Sequence, residues 1–112
     1  MAILSGMVNA AISDIQDRGD WYYLFDGNGK RYKTISKASS GDLVGFSESY
    51  FVCKKGDWYY FFDDKGTRFL TKSVTEVGEI KTVLNTSFTS LKNSWIYSWD
   101  KKGNRTGTRP AK

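Results

Sequence analysis

The sequence lacks several residues on which common chemistry depends. None of its 112 residues is histidine, and only one, Cys53, is cysteine. Without histidine there is no Ser-His-Asp or Cys-His nucleophile, no imidazole base and no histidine-containing zinc site. A lone cysteine forms no intramolecular disulfide, and Cys53 lies within an apolar run, which predicts a buried, inert thiol. We therefore expect no catalytic residue, no metal site and no cofactor, and a protein that is not an enzyme.

Long apolar runs and proline are also scarce. No stretch approaches the roughly 18 to 20 apolar residues of a membrane helix. The amino-terminal run MAILSGMVNAAISDIQ has no basic region of the kind that opens a signal peptide. We expect a cytoplasmic protein without membrane association. The single proline and the 16% aromatic content favour strands and turns, so the composition predicts an all-β protein.

Three tryptophans mark an internal repeat. Trp21, Trp58 and Trp95 are each 37 residues apart, and such a period is typical of stacked structural units. The 18-residue segments that begin two residues before the first and second tryptophans are identical at 11 positions, and the third segment matches the second at seven. We predict that residues 1–112 form a single domain of three tandem repeats. The repeats span about residues 1–37, 38–74 and 75–112.

Each repeat is predicted to contain four strands. In the second repeat the run WYYFFD is followed by the turn DKGT and then by RFLT, which indicates a β-hairpin. Aspartate at the strand end accepts hydrogen bonds from backbone amides ahead of it, and glycine three positions later supplies a positive φ. These pairs are Asp26 with Gly29, Asp63 with Gly66, and Asp100 with Gly103. Two earlier strands complete an antiparallel meander of four.

The tryptophan strand is apolar on both faces in the second repeat. Alternation places Tyr59 and Phe61 on one face, and Trp58 with the other aromatic residues on the opposite face. A strand of this kind must be covered on both sides, which predicts a sheet sandwiched between neighbouring sheets. In the third repeat the first of these faces offers only Ile96 and Ser98. We expect that weaker face to border a terminus, solvent or another subunit.

The repeated meander, with its Gly-Asp-Trp entry and its D-x-x-G turn before the last strand, resembles the blades of β-propeller proteins such as WD-repeat proteins and propeller lectins. The resemblance covers all three repeats and implies a propeller-like fold. Three blades are fewer than the roughly four to eight of a closed ring, so we expect two chains to associate head to tail as a six-bladed homodimer. Residues 1–29 carry a net charge of −3 and residues 30–112 one of +8, which favours this pairing. The alternative is a β-trefoil, whose three units close within one chain.

Recurring aromatic and basic residues are candidate ligand-binding positions. The indoles of Trp21, Trp58 and Trp95 can stack on a sugar ring or a base, or they can be core aromatics. An arginine just past each hairpin turn can hold a hydroxyl-rich or anionic ligand, or it can pair with a turn aspartate. These arginines are Arg31, Arg68 and Arg105. We predict a non-catalytic, multivalent binding module with carbohydrate as the favoured ligand, in which weak sites gain from multiplicity.

Two other functions stay open. The repeats can present a surface for a protein partner, as an interaction or assembly scaffold. The last twelve residues hold five basic side chains and no acidic one, which suits nucleic-acid binding through phosphate contacts but also suits a solvated terminus. Nucleic acid is the less favoured of these partners.

Overall fold

A computed structural model describes residues 11–111. The fold is all-β, as predicted: strands hold 60% of these residues and helices hold 8%. Within that range no helix has the length and apolar character needed to cross a membrane. In chain order the strands are β1 (Asp14–Asp17), β2 (Trp21–Phe25), β3 (Arg31–Ser36), β4 (Asp42–Phe46), β5 (Tyr50–Lys55), β6 (Trp58–Asp63), β7 (Arg68–Ser73), β8 (Glu79–Val83), β9 (Ser87–Lys92), β10 (Trp95–Asp100) and β11 (Arg105–Pro110). The short helices α1 (Lys37–Ser40) and α2 (Val74–Val77) follow β3 and β7.

The strands form three antiparallel sheets, each of which follows the chain as a meander. Sheet 1 has the order β1-β2-β3, sheet 2 the order β4-β5-β6-β7, and sheet 3 the order β8-β9-β10-β11. Each sheet lies inside one 37-residue repeat, and the two helices connect consecutive sheets. Four strands per repeat are therefore confirmed for sheets 2 and 3. The predicted first strand of the first repeat falls on residues 1–10, outside the described residues.

The predicted hairpin turns are confirmed. In sheet 1 the amide of Gly29 donates to the carbonyl of Asp26 at 3.0 Å, and Gly29 has a φ of 77°. The Asp26 carboxylate accepts from the amides of Asn28 and Lys30 at 2.9 and 3.0 Å. The same bonds recur at the turns that begin with Asp63 and Asp100. The turn aspartates thus stabilise backbone amides.

Each tryptophan hairpin contains a β-bulge at the same position, which alternation alone does not predict. In sheet 2 the register shifts between Phe61 and Phe62, so that Phe62 lies opposite Arg68. Directly opposed residues of an antiparallel pair project from the same face. Because Phe62 shares a face with Trp58, the bulge brings Arg68 to that face too. Equivalent shifts occur in sheets 1 and 3.

The sheets pack face to face, in sequence order, around two apolar clusters. Between sheets 1 and 2 the buried residues are Ile12, Ile15, Tyr22, Leu24, Phe51 and Cys53. Between sheets 2 and 3 they are Tyr50, Val52, Tyr59, Phe61, Val77, Ile80, Phe88 and Trp99. The rings of Phe61 and Phe88 lie 5.0 Å apart across this second interface. The prediction that the central sheet is covered on both faces is confirmed.

Buried tyrosine hydroxyls link each sheet to the one that follows. Tyr22 in sheet 1 accepts a hydrogen bond from the amide of Leu43 in sheet 2 at 2.9 Å. Tyr59 in sheet 2 donates to the carbonyl of Gly78 at 2.8 Å and accepts from the amide of Ile80 at 3.3 Å. Burial raises the pKa of both phenols. Tyr22 and Tyr59 therefore join neighbouring sheets through their hydroxyl hydrogen bonds.

Candidate ligand-binding face

The three repeated tryptophans lie at the surface. Trp21, Trp58 and Trp95 are 48%, 49% and 45% exposed, although their strands also supply residues to the core. Each is the first residue of its strand, immediately after a tight turn. The interpretation of the indoles as core aromatics is therefore wrong, and part of each ring is available to a ligand.

The tryptophans occupy the same position in three consecutive sheets. Trp21 pairs with Ser36, and Trp58 pairs with Ser73, at the corresponding end of each hairpin. We call these three indoles, at equivalent positions of consecutive sheets, the tryptophan row.

The repeated arginines cover tyrosine rings. The guanidinium carbon of Arg31 lies 4.2 Å from the ring centroid of Tyr23, a cation–π distance. In sheet 2 the corresponding distance, from Arg68 to Tyr60, is 4.6 Å. In sheet 3, from Arg105 to Tyr97, it is 5.3 Å. These tyrosines, two residues after each tryptophan, were missed as site residues, although the same 37-residue spacing marks them.

The arginines do not pair with the turn aspartates. Across residues 11–111 the ion pairs join Lys37 to Asp17, Lys72 to Glu76 and Lys81 to Glu79. The turn carboxylates accept backbone N–H groups instead, and the amide of Asn104 is the main cause of the lowered pKa of Asp100. Since all three arginines are exposed, their remaining N–H donors are open to a ligand.

Tryptophan and arginine share a face without touching. In sheet 2, Trp58 lies at one end of the hairpin, and Arg68 lies opposite Phe62 near the other end. Tyr60 stands between them on the same face. We call the surface formed by the tryptophan, the tyrosine and the arginine of one sheet its tryptophan face. In sheets 2 and 3 this face turns toward the preceding sheet, because Phe62 and its counterpart Trp99 belong to the clusters there.

An open cavity of about 590 Å³ lies between α2 and sheet 3. Its walls come from α2, from the end of β9 and from the last hairpin. The lining residues are Glu76, Lys92, Trp99, Gly103, Asn104 and Arg105. Arg105 is the predicted site residue that the structure places there. The tryptophan face of sheet 3 therefore opens onto a space large enough for a small ligand group.

Cys53, the single thiol, is not part of this surface. It is fully buried between sheets 1 and 2, and burial raises its pKa to about 12. The thiolate is the reactive form of cysteine, and the prediction that this thiol is buried is confirmed. In the described part of the chain, no group of three or more acidic or cysteine side chains is arranged to hold a metal ion.

Comparison of the chain with protein-family models, curated proteins and solved structures finds no match. Function is therefore inferred from the geometry of the three repeated faces.

Proposed function

We propose that this protein is a non-catalytic, multivalent carbohydrate-binding module. The observation that carries the proposal is the tryptophan row: three indoles, each about half exposed, at one position of three stacked sheets. An indole offers a flat apolar surface for the C–H face of a sugar ring, and adjacent N–H donors bond its hydroxyls. The exposed arginines supply donors at the other end of the same face, where they can bond the hydroxyls of a further ring of the same glycan.

Multiplicity is expected to raise the affinity of weak sites. One half-exposed indole per sheet offers little area, so a single site is expected to bind a sugar with a dissociation constant on the order of millimolar. Sites fixed on one rigid stack bind a second segment of a polymer at high effective concentration, which gains about 10² to 10⁴ in avidity. An oligosaccharide long enough to span the row should therefore bind much more tightly than a monosaccharide.

The test is a glycan array followed by titration of the best oligosaccharide. Tryptophan-to-alanine variants at positions 21, 58 and 95 are each expected to weaken binding at least tenfold. The triple variant should abolish it. Thermal unfolding is measured for every variant, because a binding loss counts only where the fold persists.

The matched control is Leu84→Ala. Leu84 is also large, apolar and 51% exposed, but it lies in the loop between β8 and β9, away from the row. It should bind like the unmodified protein. Silence of the unmodified protein across a broad array would contradict the proposal, as would equal losses from Leu84→Ala and Trp58→Ala.

We propose that the three sheets are propeller-like blades and that two chains join as a six-bladed dimer. The support is the sequential packing of one sheet on the next, with the first strands β4 and β8 in contact. The β-trefoil stays the alternative. It has less support, because the two clusters of the described residues join sheet 1 to sheet 2 and sheet 2 to sheet 3, and a trefoil also packs its first unit on its third.

Solution mass by light scattering tests the dimer. Closure would cover the outer face of sheet 3, where Ile96 and Ser98 are partly exposed. The expected result is a dimer that Ser98→Arg converts to a monomer. The outer face of sheet 3 is more polar than the buried faces, so an unmodified monomer at all concentrations would instead identify an open stack with a polar cap.

A protein-interaction scaffold is the second candidate, favoured by one observation. Strand β11 is a sheet edge, and all six of its residues are exposed. An exposed edge can pair with an extended segment of a partner. A specific partner captured by the unmodified chain, and lost on replacing Thr108 with proline, would favour this function. A glycan that binds and leaves the edge free would contradict it.

A further inference from the structure

A second cation accompanies every tryptophan. In the hairpin registers Lys55 lies opposite Trp58, and Lys92 lies opposite Trp95. In sheet 1 the amide of Arg18 donates to the carbonyl of Trp21 at 2.8 Å, which gives the same opposition. Opposed residues project from the same face with Cβ atoms about 5 Å apart. The basic residues recur at the 37-residue period: Arg18, Lys55 and Lys92.

Each tryptophan face thus carries two basic side chains beside its aromatic rings. One flanks the tryptophan across the hairpin, and the bulge brings the other over the tyrosine. In sheet 1 both act on one ring, because Arg18 lies 5.7 Å and Arg31 lies 4.2 Å from the centroid of Tyr23. Among residues 11–111 none of these six basic side chains takes part in an ion pair. Their charge is available to a ligand.

In sheet 3 both basic side chains line a single cavity. Lys92 and Arg105 contribute to the walls of the 590 Å³ space between α2 and sheet 3, together with Trp99. The one carboxylate in those walls, that of Glu76, already accepts from Lys72 at 3.2 Å. Two cations and one neutralised carboxylate leave the cavity with a net positive charge, which attracts an anionic group.

We propose that the ligand is a linear acidic glycan, a polysaccharide whose sugar rings carry carboxylates. This inference rests on the proposed carbohydrate function and specifies its ligand class. Sugar rings stack on the tryptophan row, and the carboxylates lie against the two basic side chains of each tryptophan face.

A carboxylated sugar fits the faces better than a nucleic acid does. The exposed carboxylates of Asp20 and Asp57 directly precede Trp21 and Trp58. They can accept hydrogen bonds from the sugar hydroxyls, which a nucleic acid offers in smaller number, but they repel anionic groups of either ligand. Arginine covers the tyrosine rings, so one free indole per sheet is left, whereas single-strand binding sites stack successive bases on aromatic platforms. In sheet 3 the acidic position is Ser94, so the third face is expected to be the tightest subsite.

The test compares two polymers with the same sugar backbone. Polygalacturonate carries a carboxylate on each ring, and its fully methyl-esterified form carries none. The full chain is titrated with fragments of each at low and moderate salt. We expect the acidic form to bind at least tenfold more tightly, and salt to weaken only that form. Five of the six cations are exposed, so salt screens their attraction to carboxylates.

Matched double variants locate the site. Lys92→Gln with Arg105→Gln should lower the affinity for polygalacturonate at least tenfold and change little for the ester. Lys102→Gln with Arg109→Gln removes the same charge elsewhere: Lys102 lies in the exposed last turn, and Arg109 lies opposite Ile96 on the outer face. This control pair should bind polygalacturonate like the unmodified protein. Equal losses from both pairs would overturn the inference, since only net charge would then matter.

The remaining outcomes separate the two proposals. If both polymers bind equally, or if a neutral glycan on the array binds more tightly than polygalacturonate, carbohydrate binding stands and the acidic ligand is wrong. If no glycan binds, the carbohydrate function fails and this inference fails with it. If a single-stranded homopolymeric nucleic acid binds more tightly than polygalacturonate at the same salt, the acidic-glycan inference is overturned in favour of nucleic acid.

Discussion

Sheets 2 and 3 differ most on the face that points away from sheet 1. In sheet 2 that face carries Tyr59 and Phe61, which are buried against sheet 3. At the same positions sheet 3 carries Ile96 and Ser98, which are partly exposed. The side chains at these positions depend on whether a sheet follows. In sheet 2 these residues are large aromatics that pack against the following sheet. In sheet 3, which no further sheet follows within residues 11–111, they are replaced by smaller side chains.

The tryptophan face behaves differently. Tryptophan, the tyrosine two residues later and the arginine after the turn occur in all three repeats, although each tryptophan is about half exposed. Packing against a preceding sheet cannot be the reason, because sheet 1 retains these residues although no sheet precedes it within residues 11–111. Positions shared by all repeats despite exposure are those that a repeated binding surface would require, which supports the proposed function.

The largest expected loss of stability comes from a substitution that leaves a cavity between sheets 2 and 3. Phe61→Ala removes a fully buried ring that contacts Phe88. We expect it to lower the free energy of unfolding by about 3 to 5 kcal/mol, the usual cost of such a cavity. Urea denaturation measures the change. Ser98→Ala, at the matching position of sheet 3, should change it by less than about 0.5 kcal/mol; similar losses at both positions would show that sheet 3 is covered as sheet 2 is.

The next largest loss of stability is expected from removing the Tyr59 hydroxyl, which joins the same two sheets through hydrogen bonds. Tyr59→Phe keeps the ring but removes the partner of the Gly78 carbonyl and the Ile80 amide. An unsatisfied buried polar group costs about 1 to 3 kcal/mol, and urea denaturation should show a loss in this range. The control Tyr97→Phe changes a partly exposed phenol on the tryptophan face and should be nearly neutral. If Tyr59→Phe left the free energy of unfolding unchanged, the structural role of these hydrogen bonds would be contradicted.

The contact between the first strands of sheets 2 and 3 gives a third comparison. A methyl group added at Gly45 would lie 2.8 Å from Cγ2 of Val83. We expect Gly45→Ala to destabilise the protein by about 1 to 3 kcal/mol through overpacking. Gly107, on the exposed edge strand, meets only the Cβ of Ser98, at an ordinary 3.9 Å. Thermal unfolding should show no loss for Gly107→Ala; a tolerated Gly45→Ala would indicate looser packing between the sheets.

The change in stability that is smallest at neutral pH comes from ionisation of the Cys53 thiol between sheets 1 and 2. Burial raises the pKa of Cys53 from 9.0 to about 12. Below pH 9 the thiol is protonated in both states, so its contribution to stability is complete. Between pH 9 and 12 only the unfolded thiol loses its proton, so the unfolding free energy falls by about 1.4 kcal/mol per pH unit from this group.

Urea denaturation at pH 7, 9 and 10.5 tests the thiol against Cys53→Ala. The unmodified chain should lose stability more steeply than the variant as the pH rises above 9. The variant still contains the buried phenols of Tyr22, Tyr50 and Tyr59, whose pKa values burial also raises. It therefore serves as the baseline for alkaline sensitivity from the other groups. Parallel pH curves would show that the thiol is hydrated in the folded protein.

Much of the local structure followed from the sequence. The 37-residue spacing, the Asp and Gly of each hairpin turn, and the two apolar faces of β6 predicted three meanders with a covered central sheet. These features depend on short-range physics: a positive φ that glycine tolerates, and side chains that alternate along a strand. Both can be read within a dozen residues of one chain.

The exposure of the tryptophans could not be read in this way. Trp58 and Phe62 lie on the same face of the same strand, yet Trp58 is half exposed and Phe62 packs against the cluster between sheets 1 and 2. Their difference depends on where the neighbouring sheet ends, which strand alternation does not specify. The bulge that turns Arg68 toward this face is likewise a feature of strand pairing.

The sequence by itself determined the repeat, the strands and the turns, because those depend on neighbouring residues and on residue types that recur every 37 positions. Only the tertiary structure decided which aromatic residues are core, which phenols tie sheets together and which cations stay unpaired. These depend on distances between residues of different repeats, as when Tyr59 reaches Gly78 or Lys92 and Arg105 meet at one cavity. Burial and charge pairing are properties of the packed sheets, and no single strand contains them.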